Sequence, residues 1–157
     1  MNKDPVYITY RLANSLWKHH IPFLPFFIRG IMRVIFACDI PYKTQIGKNV
    51  LFPHHALGIV IHPYAIIGDN CILEQNVTIG GRSGLEVLPK LGNNVMVGAG
   101  AAIIGPVVVG DNVQIGAGAV VVQDIPDNCV VVGIPARIIK KDCLLYTSDA
   151  ADDLIGV

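Results

Sequence analysis

An aliphatic residue occupies every sixth position from Ile61 to Val121 without a gap. The series runs Ile61, Ile67, Leu73, Ile79, Leu85, Leu91, Val97, Ile103, Val109, Ile115, Val121. A helix buries side chains with a period of 3.6 and a strand with a period of 2, so neither accounts for it. A period of six is the signature of a hexapeptide solenoid, in which each hexad forms one side of a triangular coil and three hexads complete a turn. The predicted fold class is an all-β solenoid, a parallel β-helix, preceded by a short helical segment.

The other hexad positions agree. The residue after the aliphatic is often glycine (Gly68, Gly80, Gly92, Gly98, Gly110, Gly116), which suits a corner because it accepts backbone angles that a Cβ forbids. Four residues after the aliphatic comes a small or short apolar residue, such as Ala65, Cys71, Val77, Ala101 or Ala119, sized to sit inside a narrow prism.

The chain divides into three domains or segments. Residues 1–38 lack the hexad frame. Residues 10–17 read as a helix, Pro22 and Pro25 break it, and residues 26–36 read as a second helix with Arg29 and Arg33 one turn apart. The stretch is apolar, but two prolines and two arginines interrupt it, where a spanning helix needs ~20 apolar residues. The favoured reading is a helical pair capping the first coil. Membrane contact through residues 21–36 is the less favoured alternative. Residues 39–142 form the β-helix domain. Its first part, residues 39–60, runs in an offset frame, with the offset absorbed at His54-His55-Ala56-Leu57-Gly58. A second break, Gly80 to Lys90, holds too much Gly, Pro and charge for strand and reads as a projecting loop, so Leu85 matches the frame by coincidence. Breaks in a regular repeat are where loops and sites are sought. Residues 143–157 lack the frame, are acidic and read as a non-native tail.

Net charge is zero and only 15% of residues are charged, so no basic face suggests nucleic acid. Cys38, Cys71, Cys129 and Cys143 show neither metal nor redox spacing, which points to a reducing, cytoplasmic setting.

Several segments, in order, carry a resemblance. Asp39-Ile40-Pro41, the histidine turn followed by Gly58-Ile59-Val60, Val77-Thr78-Ile79-Gly80-Gly81 and Gly133-Ile134-Pro135-Ala136-Arg137 resemble the serine acetyltransferase family. That family lies within the left-handed β-helix acyltransferases. The match covers about residues 39–141, and the short N-terminal segment is more like members found with surface-polysaccharide genes. The resemblance implies a left-handed coil, a homotrimer with its site between subunits, and acetyl-CoA as donor. It implies an O-acetyltransferase that acts on L-serine, giving O-acetylserine for cysteine synthesis. No metal is implied.

Acetyl transfer from a thioester to a hydroxyl needs a base, and histidine suits the task. Of five histidines, His54 and His55 sit in the frame break, and their spacing alone does not separate them. The resemblance implies His54 as the base and Asp39 as the carboxylate that orients it. Asp39 lies fifteen residues earlier, close to one coil, so stacking could bring the two together. Gly81, Ala99 and Ala117 are eighteen residues apart, which predicts one column of small residues, and the resemblance makes that column the coenzyme A groove. Arg137, Lys140 and Lys141 cluster past the last coil, where the nucleotide phosphates would need cations. Two departures matter: the family carries an aspartate just before the catalytic histidine, where Pro53 stands here, and an Arg-His pair before Pro-Lys in the projecting loop, where Val87-Leu88 precede Pro89-Lys90. Those changes point to a sugar hydroxyl as the alternative acceptor. A non-catalytic β-helix scaffold is the second alternative.

Overall fold

The computed structural model describes residues 3–82 and 88–141. The 143–157 tail and most of the projecting loop, with Leu85, lie outside the described residues.

The hexad residues build a three-faced prism. The first face stacks Gln45–Ile46, Ile66–Ile67, Lys90–Leu91 and Val108–Val109 in parallel. The second stacks Ile72–Leu73, Met96–Val97, Gln114–Ile115 and Cys129–Val132, and is closed by an antiparallel strand, Arg137–Lys141. The third stacks Val60–Ile61, Thr78–Gly80, Ala102–Ile104 and Val120–Val121. Each strand is two to five residues long because each hexad spends the rest of its length turning an edge. Ten of the eleven sixth-position residues are described, and all are at most 3% exposed. The small column from Ala65 to Ala119 is at most 1% exposed, so large and small side chains fill the interior together.

The expected role of the hexad glycines needs correction. Gly68, Gly92, Gly98 and Gly110 do not adopt left-handed backbone angles. The edge positions that do include six asparagines, Asn49, Asn70, Asn76, Asn94, Asn112 and Asn128, with φ between 54° and 59°, and glycines outside that column, Gly58, Gly100, Gly105, Gly118 and Gly133. Asparagine tolerates this region because its side chain bonds locally. Along one edge the amides form a ladder, with Asn94 donating to Asn112 at 3.0 Å and Asn112 to Asn128 at 2.9 Å. The hexad glycines serve close approach instead. A Cβ on Gly68 would lie 2.3 Å from the Gly92 carbonyl oxygen of the next coil.

Two coils are longer than eighteen residues. Asp39 pairs with Val60, a step of 21, because the histidine turn adds three residues. Thr78 pairs with Ala102, a step of 24, because the projecting loop adds six.

Helix α1, Pro5–Lys18, opens on Asp4, whose carboxylate accepts from the Val6 and Tyr7 amides, with Pro5 in the first turn. It buries Val6, Tyr7, Tyr10 and Ala13 over the first coil. Tyr7 donates to the Gly47 carbonyl at 2.8 Å and Asn14 to that of Tyr42 at 2.7 Å. The Tyr10 hydroxyl donates to the Thr44 carbonyl, and burial pushes its pKa up to about 12. Helix α2, Leu24–Phe36, buries only Pro25 and Met32 and ends on Ala37 in the left-handed region. The cap over the prism is thus mainly α1. No helix among the described residues is long and apolar enough to cross a membrane.

Gly68→Ala should push two coils apart and cost ~1–3 kcal/mol, a fall of roughly 2–12 °C in melting temperature. Gly30→Ala, where an added Cβ meets nothing within 4 Å, should raise it slightly. Thermal unfolding of the two variants, followed by circular dichroism, checks both signs.

Candidate active site

The three added residues place both histidines on the edge between the second and third faces. Pro53–Ala56 forms a single tight turn. His54, His55 and Ala56 have φ of 55°, 56° and 60°, three successive left-handed residues without a glycine among them. Such backbone costs of order 1–3 kcal/mol per residue and persists where the surroundings impose it. Here the Gly58 amide donates to the Ala37 carbonyl below at 3.0 Å, and the Leu57 carbonyl accepts from the Asn76 amide above at 2.8 Å. The turn is pinned from both sides, and both imidazoles are left exposed. The His55 ring packs on Phe36, at the end of α2, with centroids 6.1 Å apart.

The same edge continues through the prism. The Gly100 amide bonds to the Gln75 carbonyl at 2.9 Å, the Gly118 amide to that of Ala99 at 2.8 Å, and the Val120 amide to that of Gly133 at 3.0 Å. The histidine turn, Gln75, Ala99, Ala117 and Gly133 are therefore five levels of one edge, spanning roughly 19 Å at the ~4.8 Å spacing of paired strands. Arg137 pairs with Val132 at the far end of this edge, whereas Lys140 pairs with Val130, toward the opposite side of the second face. All residues of the closing strand are exposed. Gln75 Oε1 is buried without a hydrogen-bond partner, the one such side-chain atom among the described residues. Sequence reasoning missed it, since nothing in the hexad pattern marks it.

Gly81 does not share the column predicted for it. The six-residue insertion lies between Gly81 and Ala99 and equals one hexad, so an eighteen-residue step lands one edge further on. Gly81 sits on the edge between the third and first faces, where an added Cβ would meet Leu88 at 2.9 Å and His62 at 4.0 Å. Ala99 and Ala117 do stack, because no insertion separates them.

Asp39 lies one coil below the turn, its amide donating to the Ile59 carbonyl at 2.8 Å. Its carboxylate is held by arginines of α2 rather than by an imidazole. Arg29 Nε donates to Oδ1 at 2.8 Å and Arg29 Nη2 to Oδ2 at 3.0 Å, and Arg33 Nη2 also donates to Oδ2. Partial burial raises the Asp39 pKa, but the hydrogen bonds and charges of Arg33 and Arg29 outweigh it and hold the carboxyl below its ordinary range. The sequence showed the two arginines one turn apart without revealing their partner. A cavity of about 500 Å³ lies elsewhere, between α1 and the first face, and none of the residues above lines it.

Known proteins share this fold. Residues 89–123 match the family described as Bacterial transferase hexapeptide (six repeats). The serine acetyltransferase of Synechococcus elongatus is 41% identical over 137 residues, which is 85% of this chain and 55% of that protein. The solved structure of soybean serine acetyltransferase complexed with serine superposes with a TM-score of 0.79 at 36% identity, covering 85% of this chain and 56% of that one. That of serine acetyltransferase in complex with coenzyme A from Brucella abortus strain S19 gives 0.81 at 34%, covering 86% and 54%. Prism and matches define a left-handed β-helix of the hexapeptide transferase class. Over most of its length the chain is similar to serine acetyltransferases. It spans about half the length of the curated relatives it matches.

A carboxyl with a depressed folded-state pKa stabilises above its unfolded value of about 4, and that stability is lost as pH falls through the lower folded value. Asp39→Asn should therefore lower stability by about 1–2 kcal/mol at neutral pH, at the low end because the Arg33 side chain is 58% exposed. Below pH 4 the difference from wild type should shrink. Melting temperatures of both proteins across pH 3–7 test this; an unchanged gap throughout would show that the ion pairs do not stabilise the fold.

Proposed function

We propose that this protein is an acetyl-CoA-dependent O-acetyltransferase whose acceptor is L-serine. The observation that carries the reading is the single edge that holds, in order, a strained histidine turn, a buried unpartnered amide oxygen, two stacked alanines and an arginine. It fits an arm-shaped donor. Ala99 and Ala117 present no side chain beyond Cβ, so an extended pantetheine can lie against backbone groups. Gln75 Oε1 offers an acceptor for an N–H or hydroxyl at the level next to the histidines. Arg137 meets the nucleotide phosphates, with Lys140 further along the same strand.

Acetyl-CoA supplies the activated acetyl group. The imidazole takes the proton of the attacking hydroxyl and returns it to the departing thiolate. The base comes from the His54–His55 pair. Resemblance gives the role to His54; the packing of His55 on Phe36, which holds its ring, makes His55 the competing assignment. Asp39 orients the base. The arginines occupy three of the carboxylate's roughly four lone-pair positions and leave one on Oδ1 for an imidazole N–H. Gly81, on another edge, reaches the donor from a neighbouring subunit of the homotrimer that the family resemblance implies. Residues 39–142 act as the catalytic domain in this reading, residues 1–38 as its helical cap, and the cytoplasm is its setting.

A sugar hydroxyl is the second reading. Leu88 stands over Gly81 beside His62, an apolar side chain where the resemblance calls for a polar one that handles serine. Losing one charged hydrogen bond to a substrate is worth ~1.5–3 kcal/mol, one to two powers of ten in affinity.

His54→Ala and His55→Ala, assayed separately with acetyl-CoA and a thiol reporter against serine and a panel of sugars, decide the base. One variant should lose ~10²–10⁴ in kcat and the other far less. Wild-type turnover in both would overturn the catalytic reading. Ala99→Leu should fill the groove and raise the KM for acetyl-CoA at least tenfold, with the melting temperature largely kept. An unchanged KM would move the donor to another edge.

A further inference from the structure

Helix α2 carries three stripes. Pro25 and Met32 face the protein, Arg29 and Arg33 face Asp39, and Phe26, Phe27, Ile31, Val34 and Ile35 face outward. The outward residues are 53–85% exposed. Large apolar side chains exposed singly are ordinary, but five in one stripe are not. Around Gly30 they line an apolar groove of about 420 Å³. A notch of about 100 Å³ adjoins it, lined by Phe26, Arg29, Gly30 and Arg33, so guanidinium groups border the apolar surface directly.

The charge of this region is one-sided. Residues 5–38 contain Arg11, Lys18, Arg29 and Arg33 and no Asp or Glu, although the whole chain is neutral. Asp39 supplies one negative charge to two arginines, so a positive excess remains. We propose that α2 lies in the plane of a lipid surface bearing anionic phospholipids, its outward stripe among the acyl chains and its cations at the headgroup phosphates. At 13 residues, about 20 Å, the helix is too short to span a bilayer, while its apolar stripe flanked by cations is the pattern of an interfacial helix. A second copy seating the same face against this one would bring two helices together that each keep a positive excess over Asp39, so a lipid surface is the better complement.

The experiment reads vesicle binding, and its result is independent of acetyl transfer. Purified full-length protein is floated with vesicles of phosphatidylcholine alone or of phosphatidylcholine with phosphatidylglycerol. It should bind the anionic vesicles at least tenfold more tightly than the neutral ones, and less tightly at 0.5 M salt. Ile31→Glu with Val34→Glu should reduce that binding at least tenfold while the circular dichroism spectrum and melting temperature stay unchanged, because both side chains are exposed. Absence of binding, equal binding to neutral vesicles, or undiminished binding by the double variant would each overturn the proposal. So would a fall in the molar mass of the double variant by light scattering, which would make this face a contact between copies.

Discussion

The backbone of each inner coil of this prism is hydrogen-bonded to the coils above and below it, so each must present the same outline to its neighbours. The outline is set by side chains that point inward: one large aliphatic residue per face, with a small partner beside it, at essentially zero exposure along the described prism. A residue added within a face would turn the following aliphatic outward and leave a void. Additions are tolerated at the edges, where no interior position has to be kept. Both longer coils obey this, the extra three residues at the histidine turn and the extra six at the projecting loop. Residues available for chemistry therefore gather on the edges.

The edges carry their own constraints. Coils approach so closely that Gly68, Gly92, Gly98 and Gly110 cannot gain a Cβ without striking the backbone of the next coil. The reversal of direction is left to asparagines in the left-handed region, stacked along one edge into an amide ladder, and to glycines such as Gly100 and Gly118. The histidine turn departs from this economy. Its three left-handed residues have neither the freedom of glycine nor the local bonding of asparagine, and the coils on either side hold them there. Strain held in place by surrounding structure at an exposed imidazole pair is what a preorganised site requires.

Asp39 joins the two parts of the molecule. Its backbone begins the third face, and its carboxylate binds two arginines of α2. The ion pairs fix α2 by its polar stripe, which leaves the apolar stripe turned outward. The position of the histidine turn, the charge state of Asp39 and the exposed surface of α2 are thus mechanically connected through Phe36 and the chain around Ala37.

The hexad period alone determined the prism, because inside and outside positions alternate with a fixed count and burial of aliphatics enforces it. The frame breaks, and with them the histidines, were equally legible, as was the apolar, proline-punctuated character of residues 1–38. What the period could not convey is which residues share an edge, since that depends on the lengths of insertions taken up between them. Gly81 and Ala99 are eighteen apart in sequence yet on different edges, whereas His54, Gln75, Ala99 and Ala117 lie on one edge with unequal spacing. The partner of Asp39 and the outward stripe of α2 were hidden for a related reason. Both depend on how a helix is set against the prism, and a helix with three different stripes has no single orientation written in its sequence until tertiary contacts choose one.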